Sequence, residues 1–326
     1  MSTDAPTDAG VVIATRNRRD DARRAIASAA AQRPRVPILV VDDASDDGTD
    51  EMVRREFPRV RLLRSRRPMG PAAARTWGVE QCEAEVVVLI DDDAHLPDPS
   101  TVQRTLEEFD HPRVGAVAVP YEEAGKVQQR VPEGSRGIVA TDYFVGAAHA
   151  VRRDVFLELG GYRASLVIYT EEPDLCLRML AAGYITRLGA APPAVHIPNP
   201  RRDNGARFAR LLRNETLFKW YHTPAGYLPL VLGGHVLAVG RRGVARGCPR
   251  AAAAGLWAGA RGMLREFHQR HPVPTAVYRL WRDLRRHRAL PLAEIEGRLP
   301  PMRFSGQPEP ALPQDVPEPA AAIDPA

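Results

Sequence analysis

Asp91, Asp92 and Asp93 stand in a row directly after a five-residue apolar run, Val86-Val87-Val88-Leu89-Ile90. Carboxylates crowded at one point repel one another and raise each other's pKa unless a cation joins them. Ligation by oxygen alone suits Mg²⁺ or Mn²⁺. Mg²⁺ is typically held by one or two carboxylates together with substrate phosphates, so the triplet predicts a divalent cation shared with a diphosphate. A second acidic loop, Asp42-Asp43-Ala44-Ser45-Asp46-Asp47-Gly48-Thr49, follows another apolar run, Ile38-Leu39-Val40-Val41. Its short polar side chains can cap a helix, with Gly48 taking a positive φ. A carboxylate there can equally accept the imide N–H of a pyrimidine base or a ribose hydroxyl. A third feature is Glu171-Glu172 before Pro173. Proline suits the first position of a helix, which puts both carboxylates at that helix's positive end and favours their ionised form.

The elements that must hold these groups alternate along the first 120 residues. Val11–Ala14, Ile38–Val41, Val60–Leu63 and Val86–Ile90 read as strands, and 20–32, 50–57 and 71–82 as helices. Continuous apolar runs indicate strands buried on both faces of a parallel sheet. Strand–helix alternation implies right-handed crossovers and a three-layer α/β domain. Ligands bind beyond the carboxyl ends of such strands. Thr15-Arg16-Asn17, Asp42-Asp43 and Asp91-Asp92-Asp93 all stand there, and packing does not account for five carboxylates after two buried strands. Further on, Val114–Val119 reads as a strand, Phe144–Ala147 as a glycine-containing loop, and 153–159 and 173–182 as helices.

The chain of 326 residues is 44% hydrophobic, ample for a large core. Cys82, Cys176 and Cys248 are too scattered for a disulfide framework or a metal cluster and read as reduced thiols. The N-terminal residues lack the basic-then-apolar build of a signal peptide, and no apolar run reaches the roughly 18–20 residues of a spanning helix. The expected location is therefore cytoplasmic. A net charge of +5 is carried almost wholly by arginine, much of it after residue 200, including Arg201-Arg202, Arg241-Arg242 and Arg285-Arg286. Such asymmetry suits an anionic membrane face or a phosphate-bearing acceptor. No nucleic-acid partner is expected, because no recognised reading motif accompanies the basic stretches.

The motifs, in order, are Val12-Ile13-Ala14-Thr15-Arg16-Asn17, the 40–49 loop, Gly70-Pro71-Ala72-Ala73-Ala74-Arg75, Leu89-Ile90-Asp91-Asp92-Asp93 with Leu96-Pro97-Asp98, Gly160-Gly161-Tyr162, and Glu171-Glu172-Pro173-Asp174-Leu175-Cys176-Leu177-Arg178. Together they resemble the family 2 inverting glycosyltransferases over roughly residues 10 to 215. The resemblance implies the GT-A fold, a Rossmann-like three-layer α/β arrangement with a mainly parallel central sheet, here followed by C-terminal helices. It implies transfer of a sugar, rhamnosyl-type among the candidates, from a nucleotide-diphosphate sugar to an acceptor hydroxyl, with a divalent metal, Mg²⁺ or Mn²⁺. By the same resemblance Thr15, Arg16 and Asp43 contact the nucleoside, with Asp42 as substitute. Asp91 faces the ribose and is a second metal ligand, Asp93 ligates the metal, and Asp92 shares either role. Arg75 lies near the donor, and His196 approaches the metal or diphosphate. Glu172 matches the general base, with Glu171 as runner-up, although the family usually has Glu-Asp there. Arg213-Asn214 fits a family pattern to which no role is assigned.

The expected organisation is a flexible N-terminus over 1–9, a nucleotide-sugar-binding half over 10–120, and an acceptor-binding and catalytic half over 121–215. A helical extension over 216–299 and a disordered Pro/Ala-rich tail over 300–326 complete it. Residues 225–240 are apolar and precede Arg241-Arg242, so 225–242 is a candidate for peripheral contact with the inner face of the plasma membrane, beside a lipid-linked acceptor. The expected pathway is cell-envelope glycan or secondary-metabolite synthesis, making the acceptor a lipid-linked glycan or a natural product. Two other readings compete. Phosphatases that form an aspartyl-phosphate want Thr or Val where this chain has His95. A catalytically inactive sugar-nucleotide-binding module has only the Glu at position 172 in its favour.

Overall fold

The apolar runs of the N-terminal part become β1 (Ala9–Thr15), β2 (Ile38–Asp42), β3 (Arg61–Arg64) and β4 (Val86–Asp91), separated by α1 (Arg19–Ala30), α2 (Thr49–Glu56) and α3 (Pro71–Gln81). This computed structural model describes residues 9–198 and 204–303. The expectations for residues 1–8, for Arg201-Arg202 and for the tail from 304 onward fall outside the described residues. After β4 come β5 (Ala94–His95), α4 (Thr101–Glu107), β6 (Val114–Ala118), β7 (Tyr121–Glu123), β8 (Lys126–Gln128), β9 (Val139–Thr141) and β10 (Ala148–Arg152). Then follow α5 (Arg153–Glu158), α6 (Glu171–Ala181), β11 (Ile185–Leu188), β12 (Ala194–His196) and α7 (Asn204–His222). The chain continues with α8 (Leu228–Ala245), α9 (Pro249–Arg265), α10 (Thr275–His287), β13 (Leu290–Pro291) and α11 (Leu292–Ile295).

Nine strands form one sheet in the order β13-β9-β11-β6-β10-β4-β1-β2-β3. β3, β2, β1 and β4 run parallel, as the unbroken apolar runs of β1, β2 and β4 imply, whereas β3 carries Arg61 and Arg64 at its ends. β10 lies antiparallel between β4 and β6, which makes the whole sheet mixed. Successive strand residues serve opposite faces. Val11, Ile13, Val88 and Ile90 pack with Ala22, Ile26, Met52 and Trp281, whereas Val12, Val87 and Leu89 pack with Ala74, Val79, Phe156 and Met179. The sheet is thus covered on both sides, giving three layers. A second sheet, β5-β12-β7-β8, stands beyond the end of β4.

The segment expected as a helical extension has two parts. α8 and α9 pack with α7 around Phe208, Leu212, Val239 and Ala252. α10 and α11 return to the main core through Leu280, Leu284 and Ile295, and β13 adds an edge strand to β9. Pro300–Arg303 continue against α6, where the Arg303 N–H donates to the Ala182 carbonyl (3.1 Å). Cys82 and Cys176 are buried and Cys248 is half-buried, all three free. Among the described residues no helix is long and apolar enough to cross a membrane.

The layer of α3 on the sheet depends on a close approach at Gly78. A Cβ there would overlap Val12 Cγ1 and come within 3.1 Å of Val41 Cγ2. Alanine gains roughly 1 kcal/mol of helix propensity, but overpacking costs about 1–3 kcal/mol. Gly78→Ala is therefore expected to lower the urea midpoint, and an unchanged or raised midpoint would contradict this packing.

Candidate active site

The parallel register sets the site, because it aligns the carboxyl ends of β1, β2 and β4. Thr15 lies opposite Asp42, and Ala14 opposite Asp91. The three loops after these strands then hold one another. The Thr15 hydroxyl donates to Asp92 Oδ2 (2.9 Å), and Arg18 Nη1 donates to Asp92 Oδ1 and Asp93 Oδ2, both at 2.7 Å. Burial pushes Asp92 up to about 6, with Asp91 and Asp93 adding to the effect and Arg18 opposing it. Asp92 is thereby an internal partner of Thr15 and Arg18, and Arg16 is exposed at the rim.

Asp93 shares Arg18 with Asp92 and also meets β12. β12 pairs antiparallel with β5, His196 opposite Ala94, and the Ile197 N–H donates to the Asp93 carbonyl (2.8 Å). This brings His196 Nε2 to 3.3 Å from Asp93 Oδ1. One ligand atom from each of Asp91, Asp93 and His196 lies within 4.8 Å of the other two. Glu123 on β7 holds His196 Nδ1 at 2.9 Å and leaves Nε2 aimed at Asp93. A carboxylate behind a histidine in this way fixes the ring as metal sites require. Although burial alone would depress the His196 pKa, its bonds to Asp93 and Glu123 raise it. Burial also opposes ionisation of Asp93, yet bonds from His196 and Arg18 hold it well below the carboxylate range. Asp91, Asp93 and His196 thus offer two carboxylates and an imidazole, a donor set that fits a divalent cation.

Asp91 is the link to the acidic pair. Arg75 on α3 is 7% exposed, and its guanidinium pairs with Asp91, with Glu171 Oε1 (3.3 Å) and with Glu172 Oε1 (3.9 Å). The expectation of an ionised pair at a helix N-terminus is modified here. α6 begins at Glu171, two residues before Pro173, so both carboxyls lie within its first turn. Burial raises both pKa values, the Glu172 charge adds to the rise at Glu171, and Arg75 opposes the rise at each. Glu171 is 1% exposed, whereas the Glu172 side chain is 15% exposed and is the one open to the cleft. Gly146, in the turn before β10, leaves room for this cluster. A Cβ there would lie 2.6 Å from Glu172 Oε1 and 3.1 Å from Arg75 Nη2.

At the other end, Asp43 is 4% exposed and accepts the N–H groups of Met69 (2.7 Å) and Gly70 (2.9 Å) and the Ser65 hydroxyl (3.2 Å). It therefore fixes the 65–70 segment as well as facing the strand ends. Asp42 is fully buried; its Oδ1 accepts the Ser45 N–H, and its Oδ2 has no hydrogen-bond partner among the described residues but lies 3.5 Å from Arg64 Nε.

Residues 10–166 match the family described as Glycosyl transferase family 2. This part of the chain is a family 2 glycosyltransferase domain. The chain is 32% identical over 101 residues to the succinoglycan biosynthesis protein ExoU of Rhizobium meliloti, covering 30% of each protein. It is 36% identical over 109 residues to ExoO of the same organism, covering 33% of this chain and 31% of the other. The chain thus spans about a third of the length of these curated relatives. In fold it is similar to the mannosyltransferase PcManGT from Pyrobaculum calidifontis in complex with GDP-Man and Mn2+, with a TM-score of 0.54 and 23% identity over 78% of this chain and 77% of the other. The three-layer arrangement is the GT-A fold.

Within the family 2 domain and the helix beyond it, several positioning residues escape the sequence reading. The segment before Glu171 is strained, with positive φ at Val167 (55°), Tyr169 (70°) and Thr170 (77°). The side-chain amide of Asn214, fully buried on α7, holds it by donating to the carbonyls of Leu166 (2.6 Å), Ile168 (2.8 Å) and Tyr169 (2.8 Å). This supplies the role missing for Arg213-Asn214, since Arg213 also donates to Ser165 O and Asn214 Oδ1. Asp174, one turn into α6, is fully buried against Arg163, Arg178 and His222, and their charges hold its carboxyl well below the usual range despite burial. Arg18 and Glu123 were legible in principle. Arg18 follows the strand that neighbours the acidic triplet's own, and Glu123 sits in an acidic pair at a strand end.

Removing one partner from a buried ion cluster leaves the others uncompensated, at about 3–5 kcal/mol. Arg75→Gln is expected to lose stability of that order in urea denaturation, and a loss below about 1 kcal/mol would show that Glu171 does not depend on Arg75.

Proposed function

We propose that the chain is an inverting glycosyltransferase that moves a sugar from a nucleotide-diphosphate donor to an acceptor hydroxyl. The observation that carries this reading is the Arg75 cluster, which joins the candidate metal ligand Asp91 to the open carboxylate Glu172 at one cleft. In this reading residues 10–120 hold the donor and 121–215 supply the acceptor side and the base. Thr15, Arg16, Asp42 and Asp43 mark the nucleoside end, and Asp92 ties that end to the metal ligands. Asp91, Asp93 and His196 would hold Mg²⁺ or Mn²⁺, and Mn2+ is present in the PcManGT complex. Such an ion, when bound, neutralises the departing diphosphate, so no protein acid is required there.

Glu172 takes the proton of the acceptor hydroxyl, and that oxygen forms a bond to the anomeric carbon from the face opposite the nucleotide. The bond between the anomeric carbon and the diphosphate oxygen breaks in the same displacement, inverting the configuration. Arg75 holds Asp91 and Glu172 in fixed relation throughout, and Glu171, kept from water, supports the base without competing for the acceptor. The succinoglycan relatives favour an envelope glycan as product over a secondary metabolite.

The same reading takes the enzyme to the inner face of the plasma membrane. Leu230, Leu237 and Val244 repeat at seven-residue spacing along α8 and are 71–78% exposed. Residues 228–265 carry Arg241, Arg242, Arg246, Arg250, Arg261 and Arg265 and no acidic residue. An apolar stripe flanked by arginine is the make-up of an interfacial helix. Liposomes rich in anionic lipid are expected to float the protein, and Leu237→Glu to reduce flotation; equal recovery of both proteins would remove the membrane contact.

For the reaction, Glu172→Gln is expected to keep metal-dependent donor binding while product formation falls at least about 100-fold, in line with loss of a general base. Undiminished turnover in that variant would overturn the base, and undiminished donor binding in chelator would overturn the metal.

A further inference from the structure

A cleft of about 670 Å³ lies between α7, α8 and α10, away from the metal ligands. Five cations line it: Lys219, Arg279, Arg282, Arg285 and Arg286. Its one acid, Asp283, is already paired with Arg298 at 2.6 Å. The arginines follow from the pattern of α10. Val277, Tyr278, Leu280, Trp281 and Leu284 are buried against the core, which leaves positions 279, 282, 285 and 286 on the opposite, exposed face. Like charges three and four residues apart repel along a helix, so the stripe costs stability unless an anion meets it.

Lys219 sits half-buried on α7, one of only two lysines in an arginine-rich chain. Among the described residues its ammonium has no hydrogen bond and no ion pair within 4 Å. Burial pulls its pKa down to about 8; Arg285 and Arg242 act in the same direction and Glu215 against it. A half-buried ammonium with free donors, in a cleft that four guanidiniums also line, is suited to a phosphate group. Phe218 and Trp281 supply an apolar wall, and Arg285 stacks over Trp281 at 5.3 Å.

The C-terminal end of α10 is tied to β9 on the acceptor half, where the Thr141 hydroxyl donates to the Arg288 carbonyl (3.1 Å). The charges of Arg285 and Glu172 both bear on Tyr143, and that of Arg285 also bears on Asp142. We propose that this cleft binds a diphosphate group of the acceptor, anchoring an anionic acceptor beside Glu172. The proposal rests on the glycosyltransferase reading for its role, but the binding of diphosphate does not.

Calorimetry with inorganic pyrophosphate, in chelator so that no divalent ion supports the donor site, tests it directly. Binding is expected in the wild type and in Asp93→Ala. It is expected to weaken about 10-fold or more in Lys219→Gln and in Arg282→Gln/Arg285→Gln, the loss of one charge-assisted contact or more. Lys219→Arg should recover part of the loss, and unchanged urea midpoints would show that the variants fold. Farnesyl diphosphate separates the sources. Tighter binding than pyrophosphate assigns the group to a lipid-borne acceptor, and equal binding assigns it to a soluble one. No binding in chelator, binding abolished by Asp93→Ala, or equal affinity in the wild type and both charge variants would overturn the proposal. Pyrophosphate binding without any sugar transfer would leave the site standing and remove the glycosyltransferase reading.

Discussion

One guanidinium meets three carboxyls at the centre of this protein. Arg75 is buried between Asp91 at the end of β4 and the Glu171-Glu172 pair at the start of α6. One positive charge does not satisfy three negative ones in a water-poor site; burial raises the pKa of both glutamates, Asp91 adds to the rise and Arg75 opposes it. It also leaves the Asp91 side of the cluster receptive to further positive charge. His196 stands beside Asp93 there, and a divalent cation would supply the positive charge. The candidate base and the candidate metal ligands are thus parts of one electrostatic unit.

Much of the architecture exists to hold that unit still. Asn214 clamps the strained turn that delivers Glu171 and Glu172, and Asp174 gathers Arg163, Arg178 and His222 beneath the same helix. Gly146 keeps the opposite wall close, and Glu123 sets the ring of His196. α7, outside the residues matched to the family, reaches back into the site through Asn214. The helices after the family 2 domain therefore belong to its working parts.

The parallel half of the sheet was legible because strands buried on both faces must be apolar throughout, and Val11–Ala14, Ile38–Val41 and Val86–Ile90 are. The ends of those strands carried the acidic groups, so Asp42, Asp43 and Asp91–Asp93 were legible too. β10 was not, since Ala148–Arg152 is short, contains His149 and takes its direction from partners distant in sequence. Arg75 was placed near the donor by the family resemblance alone, because no local pattern reveals that α3 turns it inward onto three acids. Arg18, Glu123 and Asn214 had no role assigned from the sequence for a related reason. Their partners are 74, 73 and about 46 residues away, and only the tertiary fold brings them together.

The account stands or falls on whether the metal and the base share one charge network. Anomalous diffraction from crystals soaked with Mn²⁺ and a nucleoside diphosphate measures this most directly. The account predicts a manganese peak within coordination distance of Asp91, Asp93 and His196, with Arg75 still paired to Asp91 and Glu172. A manganese ion bound elsewhere, or an Arg75 swung away from Glu172 while the metal is in place, would contradict it.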